Sequence, residues 1–314
     1  MIFTVTMVPA IDVVYTLRDC LDTICTARSR LWYAAGKGIN VARGVKDLGG
    51  HARVFGLAGG ISGRLLQALL ATDGLEATLI PASFEVRVNA TLSTPGGELH
   101  IVEDSPSPST DDLERLGNAI EEALATERHP VSSDASSCDV LVLSGHCPPP
   151  YGPDFVCTIL RHCNVRTIVD TRDEALAAVA ERTAPWLIKP NAQEMASVAD
   201  GATDLERARS LRERSGATYV LASMGTRGAL LVGDEGRAWM ADAPAAEVVN
   251  TVGAGDAMVA AVAIRARESR PDPVTMLGEA VAAGCANVTS APPGSVPPRV
   301  WRDLLDQIRV CRIA

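Results

Sequence analysis

The chain has almost no lysine. Lys and Arg together number 29 among 314 residues, yet only Lys37, Lys46 and Lys189 are lysines. Where arginine supplies nearly every positive charge, a retained lysine marks a place for a compact, flexible point charge. Other absences narrow the field further. No run reaches the ~18 apolar residues of a membrane-spanning helix, and the apolar start lacks a basic n-region, so it reads as a strand. No cluster of basic residues appears, and the net charge is −9, which argues against a nucleic-acid or anionic-membrane surface. The eight cysteines include no Cys-x2-Cys pair and no partnered His spacing, which argues against structural zinc. Most lie in apolar segments, where a reduced thiol packs as a small hydrophobe, so a cytoplasmic protein is expected. There is no internal repeat and no low-complexity linker, so residues 1–314 are expected to form a single domain.

What is present is an alternation of short apolar runs with amphipathic stretches. Residues 2–8 read as a core strand that enters a loop at Pro9, with Asp12 inside that loop. Residues 13–33 show no long helical period and read as short strands or irregular structure. Beyond them, strands are expected at 54–58, 78–81, 86–92 and 99–102, the last two as a hairpin, with helices at 41–48, 62–72 and 110–128. After a polar loop at 129–138 the pattern becomes regular. Strands at 139–143, 166–170, 186–188 and 219–222 alternate with helices at 152–162, 175–181 and 205–215. That rhythm predicts an α/β fold with a mostly parallel sheet covered by helices on both faces. A hairpin at 229–240 and helices at 273–290 and 299–309 complete the chain.

In such a sheet, ligands bind beyond the carboxyl ends of the strands. Ser144-Gly145, Asp170, Lys189-Pro190-Asn191 and Ser223-Met224-Gly225 each follow a predicted strand directly, so they converge on one edge. Two glycine-rich turns feed helices at the same edge. One is Gly36-Lys37-Gly38-Ile39-Asn40, which is not a Walker A sequence because the Gly-x4-Gly-Lys-Ser/Thr spacing is absent. A loop with an incidental solvated lysine is its plainer alternative. The other is Asn250-Thr251-Val252-Gly253-Ala254-Gly255-Asp256, ahead of the apolar run 257–264. Its first-turn amides and helix dipole favour an anion. A carboxylate there suits a base better than an anion ligand. The same seven residues equally describe a turn whose Asp caps a helix. On the 86–92 strand, Arg87 and Asn89 share a face. Arg87 is either a solvated strand residue or a group aimed at a substrate phosphate.

Together these segments resemble the PfkB (ribokinase-like) carbohydrate kinases, most of all their 1-phosphofructokinase and tagatose-6-phosphate kinase branch. The residues that carry the resemblance run collinearly: Thr4 to Asp12, Gly36 to Arg43, Lys189 to Glu194, Ser223 to Val232 and Asn250 to Val262. The resemblance implies a ribokinase-like three-layer α/β/α fold with a small β lid, formed by about 9–33 and 85–103. It implies ATP-dependent phosphoryl transfer, with Mg2+, to a hydroxyl of a sugar, in that branch a sugar phosphate. By the same carry-over Asp256 is the base, and the amides of Gly253, Ala254 and Gly255 form the anion hole. Lys189, Ser223, Gly225, Gly228, Thr251 and Asn287 line the nucleotide, and Asn191 and Glu194 hold the metal. Asp12, Gly36, Lys37, Asn40, Arg87, Asn89 and Ser144 meet the acceptor. A homodimer through the lid is implied too, with no nucleic-acid or membrane partner.

The departures from the branch fall on the acceptor side. Val8 replaces an asparagine, Ala35 a glycine, and Ser105 a glycine. Ser144-Gly145-His146-Cys147-Pro148 stands for Ser-Gly-Ser-x-Pro, and Thr171-Arg172-Asp173 for Thr-Ser-Gly. A site that hydrogen-bonds a particular hydroxyl discriminates strongly, so these changes are expected to alter which sugar fits. A packing change at His146 with no contact to substrate is the alternative. Three other readings stay open: a ribokinase-type kinase of a free sugar or nucleoside, a non-catalytic sensing homologue, and a dinucleotide-binding oxidoreductase. The last lacks a Gly-x-Gly-x-x-Gly after its first strand.

Overall fold

A computed structural model describes residues 1–18, 24–126 and 138–314. The polar loop expected at 129–138 lies, apart from its last residue, outside them. The chain begins with β1 (Ile2–Thr6), β2 (Ala10–Leu17) and β3 (Ala27–Ala35), then α1 (Lys37–Asp47), β4 (Ala52–Gly59), α2 (Gly60–Thr72) and β5 (Glu76–Glu85). Next come β6 (Arg87–Thr94), β7 (Gly97–Ile101) and α3 (Thr110–Thr126). The regular stretch is β8 (Val140–Ser144), α4 (Gly152–His162), β9 (Arg166–Asp170), α5 (Asp173–Arg182), β10 (Leu187–Ile188), α6 (Ala192–Val198), α7 (Asp204–Ser215) and β11 (Tyr219–Ser223). The last part holds β12 (Ala229–Val232), β13 (Ala238–Ala241), α8 (Ala254–Arg265), α9 (Pro273–Asn287), α10 (Pro298–Leu305) and β14 (Val310–Arg312).

Ten strands form one sheet in the order β14-β13-β12-β11-β10-β9-β8-β1-β4-β5. From β5 to β11 every neighbouring pair is parallel, and β12, β13 and β14 add on antiparallel. The period-two alternation of the strands divides the core. Phe3, Val5, Leu141 and Leu143 pack with Leu116, Val156, Leu176 and Leu211 of α3, α4, α5 and α7. Ile2, Val140 and Val142 point the other way, onto Val45, Val259 and Leu277 of α1, α8 and α9. Helices therefore cover both faces, as a parallel sheet requires. Gly44 lets α1 approach α8 closely: a Cβ on it would stand 2.8 Å from that of Ala260. No helix among the described residues is long and apolar enough to cross a membrane.

A second sheet, in the order β3-β2-β6-β7, stands apart from the first. It bears out short strands within 13–33 and corrects the placement of Asp12 in a loop. Pro9 does not open a loop; it marks the step between sheets, and Asp12 lies inside β2, paired with Tyr33 and Asn89. Strands β2 and β3 hide in the sequence because Asp12 interrupts one run and Arg28 and Arg30 the other. Strand β5 links the two sheets. It occupies the edge of the large sheet, where Pro81 costs little, and its register with β4 shifts after Leu57.

Candidate active site

The carboxyl ends of the parallel strands, together with one face of the small sheet, enclose a cleft of about 470 Å3. The α8 turn forms one wall. Gly253 takes φ 89° and caps the helix, and a Cβ there would fall 2.2 Å from the Gly294 nitrogen. Only glycine suits both demands. Asn250 sets the approach, its Oδ1 accepting from the Val252 amide at 2.9 Å and its Nδ2 donating to Ala291 O at 2.9 Å. The first-turn amides of α8 have no intrahelical acceptor, and Val252, Gly253, Ala254, Gly255 and Asp256 all line the cleft. The α1 turn faces them. Gly36 takes φ 132°, and a Cβ on Gly38 would meet Thr6 Oγ1 at 2.6 Å, so this helix starts directly against the end of β1.

At the base of the cleft two carboxylates, Asp170 and Asp256, are grouped with two lysines, Lys37 and Lys189. Asp170, at the end of β9, is 0% exposed and carries Lys37 Nζ at 3.0 Å and Lys189 Nζ at 3.4 Å. Burial opposes its ionisation, but the two ammonium groups outweigh burial and hold its pKa below the usual carboxylate value. Lys37 is raised in turn: burial alone would lower it, and the Asp170 and Asp256 carboxylates reverse that. Asp256 is pushed up to about 6, first by burial and then by the negative charge of Asp170. Lys37, the Asn40 hydrogen bond and Lys189 pull the other way. Asn40 Nδ2 donates to Asp256 Oδ2 at 2.8 Å.

The small sheet supplies the opposite wall. Asn89 Nδ2 donates to Asp12 Oδ1 at 2.8 Å, which ties neighbouring strands together across the face that meets the cleft. Burial raises Asp12, and the bond from Asn89 offsets part of the rise. Arg87 is lowered by burial, and its Nε is buried without a partner, which leaves a donor free in the wall. His146 and Arg172 line the same end, and His146 is lowered by burial and then by the Arg172 charge. Asp173 adopts φ 55°, a left-handed conformation at the position where the family pattern has glycine. Arg172 forms an ion pair with it at 3.3 Å.

Fifteen of the residues picked out from sequence line this cleft: Asp12, Gly36, Lys37, Asn40, Arg87, Asn89, Lys189, Asn191, Glu194, Ser223, Thr251, Gly253, Ala254, Gly255 and Asp256. Four do not. Ser144 is buried at the end of β8, with Oγ unpartnered. Gly225 opens a short turn after β11, and Gly228 serves a close backbone crossing, since its Cβ would lie 1.9 Å from Ala241 O. Asn287 is fully buried and donates to Ser295 O at 3.0 Å, so it braces the proline-rich loop. Asn40, expected to meet the acceptor, lines the cleft and also donates from its amide nitrogen to Asp256. Asp170 and Arg43 were given no role. An acidic residue closing an apolar strand, in a chain with two site lysines to neutralise, was the available signal for Asp170.

Asn191 and Glu194 form a capping box at the start of α6: Asn191 Oδ1 accepts from the Glu194 amide, and Glu194 Oε2 from the Asn191 amide, both at 2.8 Å. Among the described residues nothing donates to the other Glu194 oxygen, which leaves one hard oxygen donor. No described group of three or more His, Cys, Asp and Glu forms a metal cage. One carboxylate lining the same cleft as the α8 turn fits Mg2+, which keeps most of its water and takes substrate oxygens.

A family model described as pfkB family carbohydrate kinase matches residues 5–298. The chain belongs to that family. Among its relatives, a 1-phosphofructokinase of Haloferax volcanii is 33% identical over 267 residues, 82% of each chain. A 1-phosphofructokinase of Bacillus subtilis is 31% identical, covering 83% of this chain and 84% of its own. Phosphofructokinase-2 from Escherichia coli, solved with fructose 6-phosphate, superposes with a TM-score of 0.81 at 25% identity, over 96% of this chain and 98% of that one. A ribokinase from Thermotoga maritima, 19% identical over 98% and 99% of the chains, shares the fold with a TM-score of 0.71. This pfkB kinase is therefore a phosphotransferase acting on a hydroxyl acceptor, built on a ribokinase-like α/β fold.

Proposed function

We propose that this carbohydrate kinase transfers the γ-phosphoryl group of ATP to a hydroxyl of a sugar phosphate, with Asp256 as the base. The observation that carries the reading is the environment of Asp256: a buried carboxylate raised to about 6, on the first turn of α8, in a cleft that also holds two lysines. At neutral pH such a group is ionised, yet it binds a proton more readily than a free carboxylate does. Asp256 takes the acceptor proton as the acceptor oxygen bonds to the γ-phosphorus and the bond to the β-phosphate oxygen breaks. The amides of Gly253, Ala254 and Gly255 stabilise charge on the transferred group. Lys189 stands beside them: a Cβ on Gly255 would lie 3.2 Å from its Nζ. Mg2+ held through Glu194, itself oriented by Asn191, would neutralise phosphate charge.

On the acceptor side, Asp12 and Asn89 read sugar hydroxyls, and Arg87, Arg172 and His146 form the positive pole for the acceptor phosphate. The relatives named 1-phosphofructokinase make a phosphorylated ketose the first acceptor to try, and His146 and Arg172 retune the choice. The small sheet acts as the lid over this acceptor. A panel of free and phosphorylated sugars, read by ADP release, tests the assignment: turnover on sugar phosphates supports it, and turnover on free sugars alone sinks it. A second copy of the chain packs on the small sheet, where Leu99 and Ile101 share one face and are each at least half exposed.

A further inference from the structure

Arg43 belongs to α1, one turn beyond Asn40, and is 8% exposed. Its guanidinium spends its donors on four partners. Nη1 donates to Asn40 Oδ1 at 3.1 Å and to Pro293 O at 2.6 Å, and Nη2 to Ala34 O at 2.9 Å and to Asp73 Oδ2 at 2.8 Å. A guanidinium has no acceptor atom. The Asn40 amide must therefore turn its oxygen toward Arg43 and its NH2 group the other way, where it donates to Asp256. The reverse orientation would set an amide oxygen against a carboxylate.

The same guanidinium holds the loop behind the anion turn. A Cβ on Gly253 would meet Gly294 N at 2.2 Å, and one on Gly294 would meet Asn40 O at 2.4 Å. Helix α1, the loop at 292–294 and the α8 turn are thus stacked with no room for a side chain between them. Asp47 adds a second tie from α1, accepting from Ser295 Oγ and the Val296 amide, each at 2.8 Å. Among the described residues, only the Arg43 side chain reaches both this loop and the amide that touches Asp256.

We infer that Arg43 is a positioning residue for phosphoryl transfer, which fixes the Asn40 amide and the Pro293–Gly294 backbone so that Asp256 faces the acceptor hydroxyl with a donor at its back. It touches no reacting atom, and the inference rests on the reading of Asp256 as base. The other charges around Asp256 are Asp170 from β9, Lys37 from α1 and Lys189 after β10, and none of them is bonded to Arg43.

Replacing Arg43 by Met keeps the apolar stem and frees the amide. The expected result is a kcat lower by about 10- to 100-fold at pH 7, with acceptor KM changed less than about threefold. The acid limb of the kcat–pH profile moves up by about one unit, so part of the loss returns at alkaline pH. Arg43→Lys, which reaches fewer partners at once, falls between Met and wild type. Asp73→Asn removes the ion pair and leaves the acid limb in place. In an Asn40→Ala background, adding Arg43→Met shifts the limb no further. A folded Arg43→Met protein with an unmoved pH profile, or an equal shift in the Asn40→Ala background, overturns the inference. Should Arg43→Met not fold, the decision passes to Arg43→Lys, whose limb must move more than that of Asp73→Asn. Asp256→Asn separates the two levels. Wild-type turnover in that variant defeats the reading of the base itself, whereas an inactive Asp256→Asn with an unmoved Arg43 profile defeats this inference alone.

Discussion

Asp256 and Asp170 share one buried site, yet they respond to pH in opposite senses. The unfolded chain holds both carboxyls at the ordinary value of 3.8, whereas the folded protein holds Asp256 at about 6 and Asp170 below 3.8. The stability contributed by Asp256 is complete below its unfolded value and is lost as pH rises through about 6. That of Asp170 is present above its unfolded value and is lost only in stronger acid. Asp256 is therefore kept ionised for chemistry at the expense of stability. Asp256→Asn is expected to raise Tm at pH 8, with the gap closing as pH falls through 6 toward 4, while turnover drops about 100- to 10,000-fold. Calorimetry across that range, beside ADP release, checks both; a Tm below wild type at pH 8 contradicts the account. Asp256 was legible because two glycines precede it within one short motif. Asp170 was legible as a residue closing a strand at that edge but not as an ion-pair partner, because Lys37 lies 133 positions away in the chain.

At the scale of elements, helix starts carried most of the legible signal. Helices α1 and α8 are announced by glycines whose positive φ the turns require. Helix α6 was missed because it has only seven residues, although its capping box is the same Asn-x-x-Glu that was read as a metal pair. Strand β14 was missed for the same reason: three residues leave no period to detect. The double use of Glu194 can be split by substitution. Gln retains the side-chain acceptor of a capping box and removes the carboxylate. Glu194→Gln is expected to keep Tm within about 1 °C and raise the Mg2+ concentration for half-maximal rate by about tenfold. Glu194→Ala is expected to show the same Mg2+ defect and a further loss of about 1 kcal/mol from the uncapped helix. Thermal melts and Mg2+ titrations of the two variants give the comparison, and an unchanged Mg2+ requirement in Glu194→Gln would leave the capping role alone.

For the whole molecule, the decisive arrangement is two sheets meeting over one cleft. The register of β2 with β6 puts Asp12, Arg87 and Asn89 on the face toward the cleft, and pairing with β7 puts Leu99 and Ile101 on the other. Near the large sheet that second face is covered, since Ile11 packs with Leu66 and Leu70 of α2. Farther out, among the described residues, nothing covers it in a single copy: Leu99 is 59% and Ile101 50% exposed. A four-stranded sheet with both outer strands unpaired among the described residues and apolar side chains bare at its far end is a poor free surface. A second copy supplies the same kind of face, and a two-fold contact satisfies both at once. The chain is therefore expected to sediment at twice its own mass at micromolar concentration. Leu99→Glu combined with Ile101→Glu should release the monomer. Because the acceptor wall is built on the same strands, its acceptor KM should rise more than its KM for ATP. A wild-type chain that sediments as a monomer throughout, or a released monomer with unchanged acceptor KM, would separate the small sheet's role as a lid from any role in assembly.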